Sequence, residues 1–103
     1  MPNKRIFIFG SGQVAKYFVK NNIKKYEFYL TSTKKTIFKK FAGKNIKIFN
    51  FKNNKYDKKI NKVLLICDYV IVSIPPNQLG DIVLKKFQLK LKRAKLKKII
   101  YLS

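Results

Sequence analysis

Three short groups of residues have the types and spacing to hold a phosphorylated ligand. The first is Gly10-Ser11-Gly12-Gln13-Val14-Ala15, a G-x-G-x-x-A pattern. Gly10 would permit a sharp turn. Gly12 lacks the Cβ that would keep a diphosphate off the backbone, and Ala15 is small enough for helix and strand to pack closely. Gln13 and Val14 would open a helix, where unpaired N–H groups and the positive end of the helix dipole favour an anion. The second group, Thr31-Ser32-Thr33-Lys34-Lys35, is hydroxyl and basic with no acid. The third, Ser73-Ile74-Pro75-Pro76, ends an apolar run, and its prolines would stop a strand and stiffen the loop.

Other chemistries find fewer residues. The chain has no histidine and a single cysteine, Cys67, beside the run leading into Val70-Ile71-Val72. A buried structural thiol is the expectation there, with neither a nucleophile nor a disulfide framework, and no metal site is expected.

The elements needed to position the three groups can be read from periodicity. Arg5 to Phe9 is rich in β-branched and aromatic residues and predicts a buried strand. Val14, Ala15, Phe18 and Val19 have helical spacing, ending near Asn21 and Asn22. Tyr26 to Thr31 predicts the second strand. Thr33 could cap a helix to about Phe41, with Ile37, Phe38 and Phe41 inward and Gly43 just past its end. Asn45 to Phe49 alternates as a third strand at or near a sheet edge, and Phe51 to Tyr56 reads as polar loop. Asp57 to Ile66 predicts a short helix with Ile60, Val63 and Leu64 inward. The β-branched run within Asp68 to Pro76 implies a strand buried on both faces, hence parallel and central. Gly80-Asp81 precedes a helical stretch through Ile82, Val83 and Phe87, and Lys98 to Ser103 reads as a fifth strand.

This series predicts one α/β domain over residues 1–103. Its economical arrangement is a Rossmann-like parallel sheet of about five strands in order 3-2-1-4-5, with helices on both faces. The glycine turn and the end of the fourth strand would then meet where strand order reverses, the crevice in which such sheets bind ligands. The competing reading of the glycine pair is an ordinary βα turn without a ligand.

In a dinucleotide site, Gly10, Gly12, Gln13 and Val14 would cradle the pyrophosphate, and Ser73 and Pro75 would line the nicotinamide side. The tip of the second strand would meet the adenosine ribose. An acid there suits the ribose hydroxyls of NAD; hydroxyl and basic residues suit the 2′-phosphate of NADP. Thr31, Ser32 and Lys34 therefore point to NADP, with NAD as the alternative, while Glu27 lies at the other end of its strand.

Twenty-five basic residues face four acidic ones, a formal charge of +21. That surplus predicts nonspecific binding to polyanions at low salt. Nearly all the basic residues are lysines spread along the chain, whereas readers of nucleic-acid sequence favour arginine. Lys, Ile, Asn, Phe and Tyr all have codons made only of A and T, so a biased genome accounts for most of the lysine. With Phe7, Phe9, Phe18, Phe28 and Phe38 in core-like patterns, a basic nucleic-acid-binding module is the lesser reading. No apolar run approaches the length of a membrane span and no secretory signal is seen, so a cytoplasmic protein is expected.

With the glycine loop, Ser73-Ile74-Pro75-Pro76, Gly80-Asp81 and Tyr101-Leu102-Ser103, the chain resembles one family over its whole length. It is similar to the amino-terminal part of atypical extended short-chain dehydrogenase/reductase proteins, the NAD-dependent epimerase/dehydratase-like group. The resemblance implies an NAD(P)-binding domain truncated after its fifth strand, because the family's catalytic Tyr-x-x-x-Lys pair belongs to a later half. No tyrosine here has lysine four residues on, so no catalytic residue is assigned. The alternative oxidoreductase reading is the amino-terminal part of a β-hydroxyacid or ketopantoate-type NADP reductase. Ending at Ser103 would leave Ile99, Ile100 and Leu102 on an uncovered edge strand, which predicts self-association or a partner chain there.

Overall fold

Ile6-Phe7-Ile8-Phe9 alternates two kinds of apolar side chain, and all four are buried. A strand buried on both faces must lie inside its sheet, with cover above and below. The computed structural model describes residues 4–10, 12–41, 43–52, 55–73 and 98–101 and places this strand accordingly. Its elements are β1 (Lys4–Phe9), α1 (Gln13–Asn22), β2 (Tyr26–Ser32), β3 (Ile37–Phe41), β4 (Lys44–Lys52), β5 (Lys55–Tyr56), α2 (Lys59–Ile66), β6 (Tyr69–Val72) and β7 (Lys98–Tyr101).

The sheet runs β3-β4-β2-β1-β6-β7, with β5 paired to β4 alone. The pairs β4-β2, β2-β1, β1-β6 and β6-β7 are parallel; β3 and β5 lie antiparallel to β4. The fold is thus α/β with a mixed, mostly parallel sheet. The expected order 3-2-1-4-5 is met only in part, because an antiparallel strand stands outside β4.

That strand replaces the helix predicted from Thr33 to Phe41. Thr36, Ile37, Phe38 and Phe41 are β-branched or aromatic and favour a pleated strand, and β4 offers an edge to pair with. Pairing extends to Phe41 opposite Lys44, and Gly43 takes a φ of +82°, so this glycine serves a hairpin turn and caps no helix. The polar loop expected at 51–56 is also corrected: β4 continues through Lys52, and Lys55–Tyr56 folds back on it.

The two faces carry different cores. Under α1, Ile6, Ile8, Leu30, Ile46, Ile48 and Ile71 pack with Ala15 and Val19. Under α2, Phe7, Phe9, Phe49 and Phe51 pack with Ile60, Leu64 and Cys67. Their rings make edge and stacked contacts at centroid distances of 4.9 to 6.2 Å. Each buried Ile, Leu or Phe contributes roughly 1.5–3 kcal/mol through removal from water. The crossover through α1 leads from β1 to one side, and that through α2 leads back across β1 to β6. Crossovers of one hand running in opposite directions place their helices on opposite faces, as found here.

Phe38, expected in the core, is 68% exposed on β3. Lys47 lies opposite it, with Nζ 5.2 Å from the Phe38 ring and equally far from the Phe49 ring. No described helix is long and apolar enough to cross a membrane. Ile74, Pro75 and Pro76, Gly80-Asp81, the helix expected through Ile82, Val83 and Phe87, and Leu102 with Ser103 lie outside the described residues.

Candidate functional site

The parallel strands all end at one rim of the sheet. In order across it stand Asn50 after β4's Phe49, Ser32 at the end of β2, Gly10 after β1, and Ser73 after β6. Register aligns Ser32 with Asn50 and Phe9 with Val72.

Gly10 takes a φ of +130°, a conformation that suits glycine and strains other residues. Its N–H donates to Thr31 Oγ1 at 2.8 Å, a buried bond tying the glycine turn to the end of β2. On the other side, the Ser73 N–H and hydroxyl both donate to the Phe9 carbonyl, at 3.0 and 3.2 Å. Groups distant in sequence thus meet at the glycine turn.

Gly12 presents a different case. Its φ of −71° and ψ of −176° are open to any residue, and a Cβ built on it would meet nothing within 4 Å. Neither backbone strain nor packing within the described protein requires a glycine there. Among the described residues, nothing stands beside its bare backbone directly before α1. The first backbone bond of the helix runs from the Lys16 N–H to the Gly12 carbonyl at 3.0 Å. The N–H groups of Gln13, Val14 and Ala15 precede that bond, and no side chain of Gly12 can cap them. Gln13 and Val14 are exposed, Val14 at 63%, and Ala15 is buried against the sheet as its small size allows.

Of the second group, Thr31 is fully buried and its oxygen is spent on Gly10, so it sits behind the rim rather than facing a ligand. Ser32 is half-buried and accepts the Lys34 N–H at 3.2 Å; the Lys34 side chain is exposed. Pro75 lies outside the described residues.

Three residues not singled out for this site hold the loop beyond Ser32. Since β3 lies outside β4, the chain from β2 must pass over the end of β4. There the Asn50 side chain donates to the carbonyls of Lys34 at 2.8 Å and Thr33 at 3.3 Å. The Asn50 N–H donates to Thr36 Oγ1 at 2.9 Å, and that hydroxyl donates to Asp57 Oδ2 at 2.8 Å. Asp57 Oδ1 accepts the Lys59 N–H at 3.0 Å. This bond, then the Thr36 hydroxyl, holds the Asp57 carboxyl below its ordinary value of 3.8. Asp57 two residues before a helix was a legible capping signal; nothing in the sequence marked Thr36 or Asn50.

The remaining described acids lie at the opposite rim. Glu27 pairs with Arg5 Nε at 3.2 Å, and Asp68 accepts the Arg5 N–H at 2.8 Å. Cys67 is buried, and desolvation pushes its thiol up to about 12, which fits packing and not nucleophilic chemistry. No family model, curated protein or solved structure matches the chain.

Proposed function

We propose that this chain is an NAD(P)-binding domain, of Rossmann type, that takes NADP in preference to NAD. The observation that carries the reading is Gly12: a glycine that neither its own dihedral angles nor its described neighbours require, with no described atom within 4 Å of a Cβ built on it, at the start of a helix to which it gives no side-chain cap. Gly10, Gly12, Gln13 and Val14 would take the pyrophosphate, Ser32 and Lys34 the ribose phosphate, and Ser73 with Pro75 the nicotinamide side. Thr31 supports the turn from behind. Such a dinucleotide supplies hydride transfer when bound. The residues here bind and orient it, and the chain offers no Tyr-x-x-x-Lys pair for proton transfer. Its part in an epimerase/dehydratase-like or reductase-like protein is accordingly cofactor binding. The alternative of a β-hydroxyacid or ketopantoate-type reductase makes the same demand on the glycine turn. Fluorescence titration with NADPH and NADH tests the reading; saturable binding with NADPH tighter is expected, and binding of neither would refute it.

A second reading, a basic module for single-stranded nucleic acid, gains one observation. The exposed Phe38 ring stands beside Lys47 on the sheet's end and could stack a base. It predicts binding to single-stranded DNA that survives physiological salt and weakens in Phe38→Ala.

A further inference from the structure

We infer that Asn50 is a positioning residue that sets the choice between the two dinucleotides, by holding the loop at 33–36 so that Lys34 meets the ribose phosphate. The inference rests on the dinucleotide reading of this rim.

Its basis is the unusual path from β2 to β4. Because β3 pairs outside β4, the loop at 33–36 crosses the rim beside Ser32. β4 anchors the loop there through Asn50. Its two carbonyl acceptors, Thr33 and Lys34, fix the amide's orientation, since only the nitrogen can donate to both. Its backbone N–H reaches the same loop through Thr36, and its carbonyl accepts the Asp57 N–H at 2.9 Å.

One consequence bears on selectivity. Lys34 is held from both sides, by its carbonyl on Asn50 and its N–H on Ser32 Oγ, so its exposed ammonium comes from a loop that is already ordered. Asp57, the sole described acid at this rim, has one oxygen on the Thr36 hydroxyl and the other on the Lys59 N–H. Those two bonds fix the place of the Asp57 carboxylate and tie it to the same loop. The clasp thus favours a 2′-phosphate by presenting a cation from a fixed loop.

The test measures NADPH and NADH dissociation constants for the wild type and for Asn50→Ala, Thr36→Val and Thr36→Ser, with thermal melts of each. Asn50→Ala and Thr36→Val should weaken NADPH by roughly three- to tenfold, the worth of a lost hydrogen bond, and leave NADH unchanged. Thr36→Ser keeps the hydroxyl and should keep wild-type selectivity. Equal weakening of both dinucleotides, or unshifted selectivity in folded variants, overturns the inference while the dinucleotide reading stands. A wild type that binds neither removes both.

Discussion

At the scale of single residues, two hydrogen-bonded groups of this rim make separable claims. Thr31 is buried, and its oxygen is the partner of the Gly10 N–H. Thr31→Val keeps the shape and strands a buried donor, so it should cost about 1–3 kcal/mol in urea denaturation, whereas Thr31→Ser should recover most of it. Asp57 makes a claim about pH. Its carboxyl is held below 3.8 by the Lys59 N–H and the Thr36 hydroxyl, so the charged form is favoured in the folded state. The stabilisation is therefore present above the unfolded value and lost as pH falls through the lower, folded one. Wild type should exceed Asp57→Asn in urea midpoint at neutral pH, with the gap closing as pH drops below 3.8. A gap independent of pH would contradict it.

At the scale of elements, the contrast between two glycines explains what could be read in advance. Strands β1, β2, β4 and β6 and both helices were legible because their side chains alternate or recur at helical spacing. Ile37, Phe38 and Phe41 fit a helical face and a strand equally well, and pairing with β4 settled the matter. The position of Gly43 suits a helix terminus, yet its φ of +82° belongs to the β3-β4 hairpin. Gly43→Ala should cost about 1 kcal/mol in thermal or urea unfolding through backbone strain, because a Cβ there meets no described neighbour. In the candidate site, Gly10, Gly12 and Ser73 were visible through motif and strand end. The clasp of Thr36, Asn50 and Asp57 was not, since it exists only because β3 reroutes the loop over β4. The burial of Thr31 was hidden for a related reason: the last residues of a strand alternate between rim and core, and the motif does not say which.

At the scale of the whole molecule, a charge of +21 acts wherever the site lies. Binding to single-stranded DNA by charge alone should fall by roughly a thousandfold between 50 and 200 mM salt, and Phe38→Ala should leave it unchanged. Fluorescence anisotropy across that salt range distinguishes this background from the stacking of the second reading. The terminal strand β7 closes the described sheet order beside β6, and we propose it as the edge for self-association or a partner chain. None of this replaces the glycine turn as the centre of the account. Titration of wild type and Gly12→Ala with NADPH, alongside a melt of each, tests it most directly. The φ of −71° and the open space around Gly12 predict a variant within about 1 kcal/mol of wild-type stability whose NADPH affinity is at least about tenfold lower. A folded Gly12→Ala that binds NADPH as the wild type does would contradict the account.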